Sequence, residues 1–344
     1  MEPDDDTELM VRAAWQHYVA GNTQERTAAL LGVSRIKVTR LLALAREQGV
    51  VRITIDHPLS DMVALETALC AAHGLDFCTV TPPLVPPEPP VGVRGPGRAR
   101  PEPGDPAEAL ARRAVGGMAA RWLRRRLKAH PGIIVGVGWG RTLAAMARQI
   151  GGVGADVLPV WVSLMGSLTR NAATNPFEVV QELAVRTGGE GHFLPVPFIA
   201  DTAEDRRVLM SQHIVAEALD LARRADLSVI SLGECDERSF LYQSGLLSGE
   251  DLAGLRAAGA VGDTLGVFFD RSGRPVESPL NARTLAIDMA ALRRQEVVLL
   301  CAGAGKAEAA RAILASGLVR GLFIDHACAA ELAGRQQSLE EECI

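Results

Sequence analysis

The 344-residue sequence predicts an α/β protein in which an N-terminal helix-turn-helix domain precedes a doubly wound α/β domain. Two observations carry this prediction. Residues 10–55 combine helical spacing and helix caps with a net charge of +5, in a chain whose net charge is −5. From residue 107 onward, short apolar runs alternate with longer amphipathic stretches, as in proteins with a parallel sheet. We therefore expect domains at 1–57 and 107–344, with a linker helix and a Pro-rich linker at 58–106.

The first domain is expected to contain three short helices. Apolar residues recur at helical spacing in the first helix, Thr23 can cap the second, and Ser34 can cap the third. Gly32 follows the second helix, where a left-handed C-cap is favoured. The predicted bounds are 9–19, 24–31 and 35–48. Two helices joined by so short a glycine turn form a helix-turn-helix.

The third helix is the element expected to contact DNA. Its N-terminal part carries basic and hydroxyl side chains without an acid, and a recognition helix presents that end to the major groove. The side chains expected to contact bases or phosphates are Gln24, Ser34, Arg35, Lys37, Thr39 and Arg40. Those expected to be buried are Ile36, Leu41, Leu44 and Ala45, flanked by Val38 and Leu42. The alternative, a packing domain with solvated charges, explains the acid-free surface less well.

Three features surround the predicted linker. Ten of the nineteen prolines lie between residues 82 and 106, so this stretch is expected to be an extended linker or an exposed loop. Residues 60–72 predict a helix whose stripe of Met62, Leu65 and Leu69 is a candidate contact between subunits. Residues 107–128 predict a helix with seven basic side chains, interpreted as a solvated or intersubunit face in preference to a DNA contact.

Several function classes are disfavoured. The six cysteines form no CxxC pair and no cluster at zinc-ligand spacing, so neither a metal site nor a disulfide framework is expected. The acidic start, MEPDDDTE, does not resemble an export signal, and the uncharged stretches are shorter than a membrane span. We expect a cytoplasmic protein that has no membrane partner.

Four segments, in order, resemble the SorC family of sugar-responsive bacterial transcriptional regulators. They are AAWQHYVAGNTQERTAALLGVSRIKVTRLLALAREQGVVRITI (13–55), IIVGVGWGRTL (133–143), GAVGDTLGVFFDRSGRPV (259–276) and AGAGKAEAARAIL (302–314). The resemblance implies an effector domain similar to sugar-phosphate isomerases and deaminases. It also implies an oligomer whose affinity for DNA changes when a phosphorylated sugar or a similar metabolite binds. The start of the first segment is most similar to the sugar-alcohol branch of the family.

The segment 138–142 is the first expected effector contact. A glycine turn between strand and helix can direct backbone N–H groups at an anion, to which arginine and threonine add donors. The spacing lacks the third glycine of a dinucleotide fingerprint, and a purely structural turn is the alternative. Together with the resemblance, the pattern predicts contacts from Gly138, Gly140, Arg141 and Thr142.

Four further residues are expected to line the same cleft. The carboxylate of Asp263 can accept hydrogen bonds from sugar hydroxyls or cap its own turn. Lys306 begins a helix, where its ammonium can pair with a phosphate. It does not complete a nucleotide P-loop, because Ala307 follows it. Ser167 and Arg170 lie in a polar stretch that lines the cleft in the family, although a solvated loop is an equal alternative.

These features together predict a DNA-binding transcriptional regulator of a sugar or polyol catabolic operon. Its expected partners are double-stranded operator DNA, a phosphorylated sugar or polyol, and further copies of the chain in a homotetramer or homodimer. The alternative is a sugar-phosphate isomerase or deaminase fused to a DNA-binding module. The cleft motifs contain no histidine and no paired carboxylates, so no catalytic residue and no cofactor are expected.

Overall fold

The computed structural model describes residues 5–51, 59–84, 105–154, 156–167 and 176–341. The predicted site residue Arg170 and most of the Pro-rich stretch lie outside these ranges. Contacts divide the chain into a small unit, Met1–Ser60, and a large unit, Asp61–Ile344. Within the described ranges, no helix is both long enough and apolar enough to cross a membrane.

The small unit contains the predicted helix-turn-helix. Its helices are α1 (Asp5–Ala14), extended by a π-helical turn (Trp15–Val19), α2 (Gln24–Leu31) and α3 (Arg35–Glu47). The side chain of Thr23 accepts a hydrogen bond from the backbone N–H of Arg26, and Gly32 ends α2 at φ 67°. Ser34 caps α3 in the same way, by accepting from the N–H of Lys37 at 3.2 Å.

The buried stripe of α3 differs from the prediction. The side chains of α3 that pack into the small unit's core are Val38, Leu41, Leu42 and Ala45. Leu41 and Ala45 were predicted correctly, but Ile36 is 75% exposed and Leu44 is 38% exposed. Positions 38, 41, 42 and 45 follow the i, i+3, i+4, i+7 spacing of one helix face, and Ile36 lies on the opposite face.

The large unit is an α/β structure. Its strands are β1 (Phe77–Val80), β2 (Ile134–Val137), β3 (Val160–Ser163), β4 (Glu190–His192), β5 (Leu227–Ser231), β6 (Gly233–Glu234), β7 (Ala260–Thr264), β8 (Val267–Asp270), β9 (Glu296–Cys301) and β10 (Gly321–Ile324). Its helices are α4 (Ser60–His73), α5 (Pro106–Ala129), α6 (Arg141–Gln149), α7 (Pro176–Thr187), α8 (Ala203–Met210), α9 (His213–Arg223), α10 (Phe240–Gln243), α11 (Gly249–Ala257), α12 (Pro279–Arg283), α13 (Met289–Leu292), α14 (Ala307–Ala315) and α15 (His326–Glu341).

The described strands form a parallel sheet in the order β1-β10-β9-β5-β2-β3-β4 and a small antiparallel sheet of β6, β7 and β8. Both faces of the parallel sheet are covered. In β9, Val297 and Leu299 belong to one hydrophobic cluster, whereas Val298 and Leu300 belong to another. Strands buried on both faces identify a doubly wound sheet, which confirms the predicted fold class.

The strand order reverses beside β2. From β2 the chain runs outward through β3 and β4, then returns to β5 on the other side of β2 and continues to β9 and β10. In open parallel sheets, ligands bind outside the carboxyl ends of the strands at such a reversal. The fold therefore predicts a binding crevice beyond Val137 and Ser231.

Part of the stretch predicted as a linker belongs to the sheet. β1 pairs with β10, and the carboxylate of Glu66 on α4 accepts a hydrogen bond from the N–H of Val80 at 2.8 Å. Leu69 of α4 is buried in the large unit's own core, with Met62 and Leu65 packed against it. The predicted subunit-pairing stripe thus packs within the chain, with Leu69 buried and Met62 and Leu65 partly buried.

The basic helix α5 begins and ends within one residue of its predicted bounds. Arg112 departs from the predicted basic face: its side chain is 2% exposed and it pairs with Glu108 at 3.0 Å. Arg126 pairs with Glu296. The outward basic side chains are Arg113, Arg121, Arg124, Arg125 and Lys128.

Candidate functional site

A cleft opens where the strand order reverses, beyond the carboxyl ends of β2 and β5. The residues that line it come from the segments following several strands: Trp139, Gly140, Arg141, Thr142, Met165, Ser231, Leu232, Gly233, Glu234, Ser239, Phe240, Leu241, Asp263, Leu265 and Lys306. Its location agrees with the general position of ligand sites in doubly wound sheets.

The turn from β2 into α6 forms one wall of the cleft. Gly140 has a φ of 139°, and a Cβ at this position would lie 2.6 Å from Oγ of Ser231. Only glycine allows this conformation and this close approach. The hydroxyl of Ser231 donates to the carbonyl of Trp139 at 2.8 Å, which connects the ends of β2 and β5.

The helix α6 begins at this wall. Backbone N–H groups in the first turn of a helix have no partner within the helix, and they carry partial positive charge. Arg141 and Thr142 are the first two residues of α6, and both line the cleft. Within the described part of the chain, the guanidinium of Arg141 has neither an ion pair nor a hydrogen bond. This end of the cleft therefore offers unneutralised positive charge.

Three further charged side chains line the cleft. The ammonium of Lys306 donates to the carbonyl of Leu232 at 3.0 Å and lies 3.8 Å from Oε2 of Glu234. The side chains of Lys306 and Glu234 are each 11% exposed. Asp263 is 6% exposed and accepts a hydrogen bond from the N–H of Gly266 at 3.2 Å. Lys306 is thus already compensated by carboxylates within the protein.

The ionisation of Asp263 is strongly perturbed. Burial raises the pKa of its carboxyl to about 7, an effect that neighbouring Glu234 reinforces. The Gly266 N–H and the Lys306 ammonium oppose that rise in pKa, but more weakly than burial drives it. Near neutral pH, this part of the cleft can therefore both donate and accept hydrogen bonds.

The aromatic side of the cleft is built on Trp139. Its ring lies edge-on to Phe198, at a centroid distance of 5.8 Å, and to Phe240, at 5.1 Å. Such edge-on pairs hold a ring in place and leave an apolar surface beside the polar groups. The lining thus combines positive charge, carboxylates and an apolar platform.

The structure brings together most of the cleft residues predicted from the sequence. Gly140, Arg141, Thr142, Asp263 and Lys306 all line the cleft. Gly138 lies just before them, and its N–H donates to the carbonyl of Val229 at 3.0 Å.

Ser167 is not part of the lining. It is 7% exposed, and its backbone N–H donates to Val196 while its carbonyl accepts from Phe198. The polar stretch at this position and the family resemblance suggested a cleft wall, but these hydrogen bonds place Ser167 in an isolated bridge with Pro197.

Sequence reasoning missed the segment after β5. Ser231 and Glu234 line the cleft, as do Ser239 and Phe240 from the following loop and α10. The apolar run 227–232 followed by glycine is a strand-end signal. Its importance depends on β5 lying beside β2, which no local pattern reveals.

The helix-turn-helix face presents the residues predicted to contact DNA. Arg35 pairs with Glu25 at 3.1 Å and Lys37 pairs with Asp6 at 3.2 Å, all with largely exposed side chains. The hydroxyl of Thr39 donates to the side-chain carbonyl of Gln24 at 2.9 Å, which ties α3 to α2.

Arg40 differs from the other cations of this face. Its side chain is exposed and has no ion pair or hydrogen bond within the described residues. The guanidinium is therefore available to an external acceptor.

Comparison with known proteins covers both units. The Sugar-bind family model, a sugar-binding domain, matches residues 98–333. The erythritol catabolism regulatory protein EryD of Brucella abortus is 36% identical over 96% of this chain and 98% of its own length. The deoxyribonucleoside regulator of Bacillus subtilis is 27% identical over 87% of this chain and 88% of its own.

The full-length sorbitol operon regulator SorC of Klebsiella pneumoniae has the same fold. Its crystal structure superimposes with a TM-score of 0.69, covering 96% of this chain and 100% of that one at 23% identity. The likeness therefore extends over the helix-turn-helix as well as the α/β sheet. On the family model and the relatives of similar length, the chain belongs to the SorC family of sugar-binding transcriptional regulators.

Proposed function

We propose that this regulator binds operator DNA through α3 and that a phosphorylated sugar or polyol in the cleft alters that binding. The observation that carries the proposal is that one cleft is lined both by the unpaired guanidinium of Arg141 at the start of α6 and by the carboxylates of Glu234 and Asp263. One ligand with an anion and several hydroxyls can satisfy both kinds of side chain.

The phosphate is proposed to bind at Arg141 and Thr142. Lys306 is a poorer phosphate ligand than its position in the sequence suggests, because Glu234 already compensates its charge. Lys306, Glu234 and Asp263 are instead proposed to bind the hydroxyls, which can both donate to the carboxylates and accept from the ammonium. Trp139 supplies an apolar surface for the carbon chain.

Sugar-alcohol catabolism is the proposed pathway class. One relative is named for erythritol catabolism and one structural neighbour for the sorbitol operon. The response is proposed to be a population shift within a homo-oligomer, a tetramer or a dimer. A ligand changes DNA binding in this way only if it prefers one of the oligomer's geometries.

A thermal-shift and operator-binding series tests the effector. Erythritol, sorbitol, their monophosphates and inorganic phosphate are each added to the purified full chain. A ligand at 100 times its Kd stabilises the protein by about 2.7 kcal/mol. We expect the largest shift from a polyol phosphate, loss of the phosphate preference in Arg141→Ala, and loss of polyol discrimination in Glu234→Gln.

Arg113→Ala is the matched control, since it removes an exposed arginine of α5 outside the cleft. A free polyol that binds as tightly as its phosphate would contradict the anion end. A silent panel together with normal operator binding would remove the effector part of the proposal and leave the DNA-binding part.

An enzymatic role has one observation in its favour: a buried carboxyl with a pKa of about 7 suits general acid–base chemistry. The named relatives are regulators, and we propose that Asp263 serves recognition alone. Incubation of the full chain with the same phosphates, followed by product analysis, tests this point. Turnover that Asp263→Asn abolishes would establish the enzyme.

A further inference from the structure

The outward face of α3 contains an apolar side chain that the DNA-binding prediction did not use. Ile36 is 75% exposed, although the sequence pattern had placed it in the core. The opposite face of α3 is fully occupied by Val38, Leu41, Leu42 and Ala45. Packing within the small unit therefore gives no reason for an isoleucine at position 36.

The neighbours of Ile36 on the helix surface define its surroundings. With 3.6 residues per turn, Arg40 and Ala43 lie on the same outward face, one and two turns further along. Arg35 and Lys37 lie on the flanks, and the exposed ion pairs they form are easily exchanged for phosphate contacts. The outward face thus has an apolar tip, a free guanidinium behind it, and cations on either side.

This arrangement fits the major groove of DNA. Thymine is the base that presents a methyl group there, and guanine presents two acceptors that suit arginine. The net positive charge of residues 10–55 favours a polyanion such as DNA as the partner of this face. Ser34 caps the helix at its start, which fixes the first turn and with it the direction of Ile36.

We propose that Ile36 is a specificity-determining residue of this regulator, which contacts the 5-methyl group of a thymine in each operator half-site. The thymine lies near the base or phosphate that Arg40 contacts. This inference rests on the proposed function of α3 and assigns a base preference to one of its side chains.

The test begins by selecting a duplex from a random DNA pool with the full-length protein. Each thymine of the selected half-site is then replaced singly by deoxyuridine, which keeps the base pair and removes the methyl group. For the unaltered protein, we expect one position per half-site at which affinity falls about 4-fold, the value of one buried methyl group. For Ile36→Ala, the penalty at that position should vanish.

Leu44→Ala is the control, since Leu44 is also apolar and exposed on α3 but lies two turns further from the N-terminal end. The Leu44→Ala protein should still lose affinity when deoxyuridine replaces that thymine, as the unaltered protein does. Equal penalties in the unaltered protein and Ile36→Ala, or no penalty at any thymine, overturn the assignment. The assignment is also overturned if Ile36→Ala forms a smaller oligomer and loses the same affinity at each deoxyuridine as the unaltered protein. That result would identify Ile36 as a contact between protein subunits.

The failure of the proposed function is a separate outcome. If the pool yields no preferred duplex, α3 does not recognise sequence, and both statements fall. The pool can also yield a duplex that Arg40→Ala binds weakly but whose affinity does not change when any thymine is replaced by deoxyuridine. In that case only the role of Ile36 is lost.

Discussion

Arg35 with Glu25 on the small unit, and Lys306 with Glu234 in the cleft, are ion pairs in opposite surroundings. The side chains of the first pair are 66% and 74% exposed, whereas those of the second are both 11% exposed. Exposed ion pairs contribute little to folding stability and are screened by salt. A DNA phosphate can therefore replace the Glu25 carboxylate as the partner of Arg35. A nearly buried pair is costly to break, so a ligand in the cleft must satisfy it.

Lys306→Ala tests the buried side of this comparison and has the largest expected effect. It leaves Glu234 and Asp263 without their cation, which should lower the free energy of unfolding by about 3 kcal/mol. Urea unfolding followed by tryptophan fluorescence measures it, because Trp122, Trp139 and Trp161 all lie in the large unit. The effector response should also be lost.

Lys128→Ala is the control, since Lys128 is exposed at the end of α5, and its effect should stay within about 0.5 kcal/mol. The double variant Lys306→Ala/Glu234→Gln should recover part of the loss. If Lys306→Ala unfolds at the same urea concentration as the unaltered chain, the pair is not the stabilising contact described here.

Arg40→Ala tests the exposed side. Removing an unpaired guanidinium from a surface should leave the unfolding free energy unchanged and weaken operator binding by about 2 kcal/mol, roughly 30-fold. Fluorescence anisotropy with a labelled operator measures the affinity. Arg207→Ala removes an arginine from the surface of α8 in the large unit and should bind normally.

Salt titration of the same complexes sharpens this result. The logarithm of operator affinity falls linearly with the logarithm of salt concentration. Loss of a phosphate contact makes that slope shallower by about 0.9, whereas loss of a base contact leaves it nearly unchanged. Operator affinity that does not change in Arg40→Ala would argue that α3 is not the recognition helix.

The pH dependence of unfolding tests the surroundings of Asp263. A carboxyl whose pKa is raised to about 7 holds its proton in the folded state after the unfolded chain has lost it. Folding stability from this group is therefore complete below about pH 4 and is lost as pH rises towards 7, by about 1.4 kcal/mol per pH unit.

Asp263→Asn should remove this fall in unfolding free energy with rising pH. Urea unfolding of both proteins between pH 5 and pH 8 measures it. An unchanged slope in the variant would show that other groups cause the pH dependence. Asp270→Asn, at the end of β8, is the comparison. The hydroxyl of Ser272 donates to the Asp270 carboxylate and holds the pKa of that carboxyl below its usual value, so this variant should keep the loss of stability between pH 5 and pH 7.

Ser34→Ala has the smallest expected effect. It removes the side-chain acceptor for the N–H of Lys37 and should destabilise α3 by about 1 kcal/mol. Amide hydrogen exchange in α3 of the full chain should accelerate about 5-fold, while Ser34→Asn keeps the cap and the slow exchange. Equal acceleration in both variants would mean that something other than the cap holds this turn.

Local patterns predicted the local parts of the molecule. The caps Thr23 and Ser34 and the glycine at 32 place α2 and α3 within one residue of their observed bounds. The glycine turn at 138–140 and the lysine after β9 were recognised because they lie at strand ends, where ligands collect.

What the sequence could not predict depends on contacts between distant segments. Glu234 lines the cleft only because β5 lies beside β2. The edge strand β1 forms only because β10, more than 240 residues later, offers a free edge. Ile36 is expected in the core because it is apolar, but the face of α3 that packs against α1 and α2 is that of Val38 and Leu41, opposite Ile36.

The edge strand has a consequence for a severed chain. Phe77–Val80 pairs residue for residue with Gly321–Ile324, and Leu69 and Val80 are buried in the large unit. A protease that cuts between Leu84 and Asp105 therefore yields two fragments that remain joined without a peptide bond. The piece carrying the recognition helix should therefore co-purify with the rest of the chain after the cut.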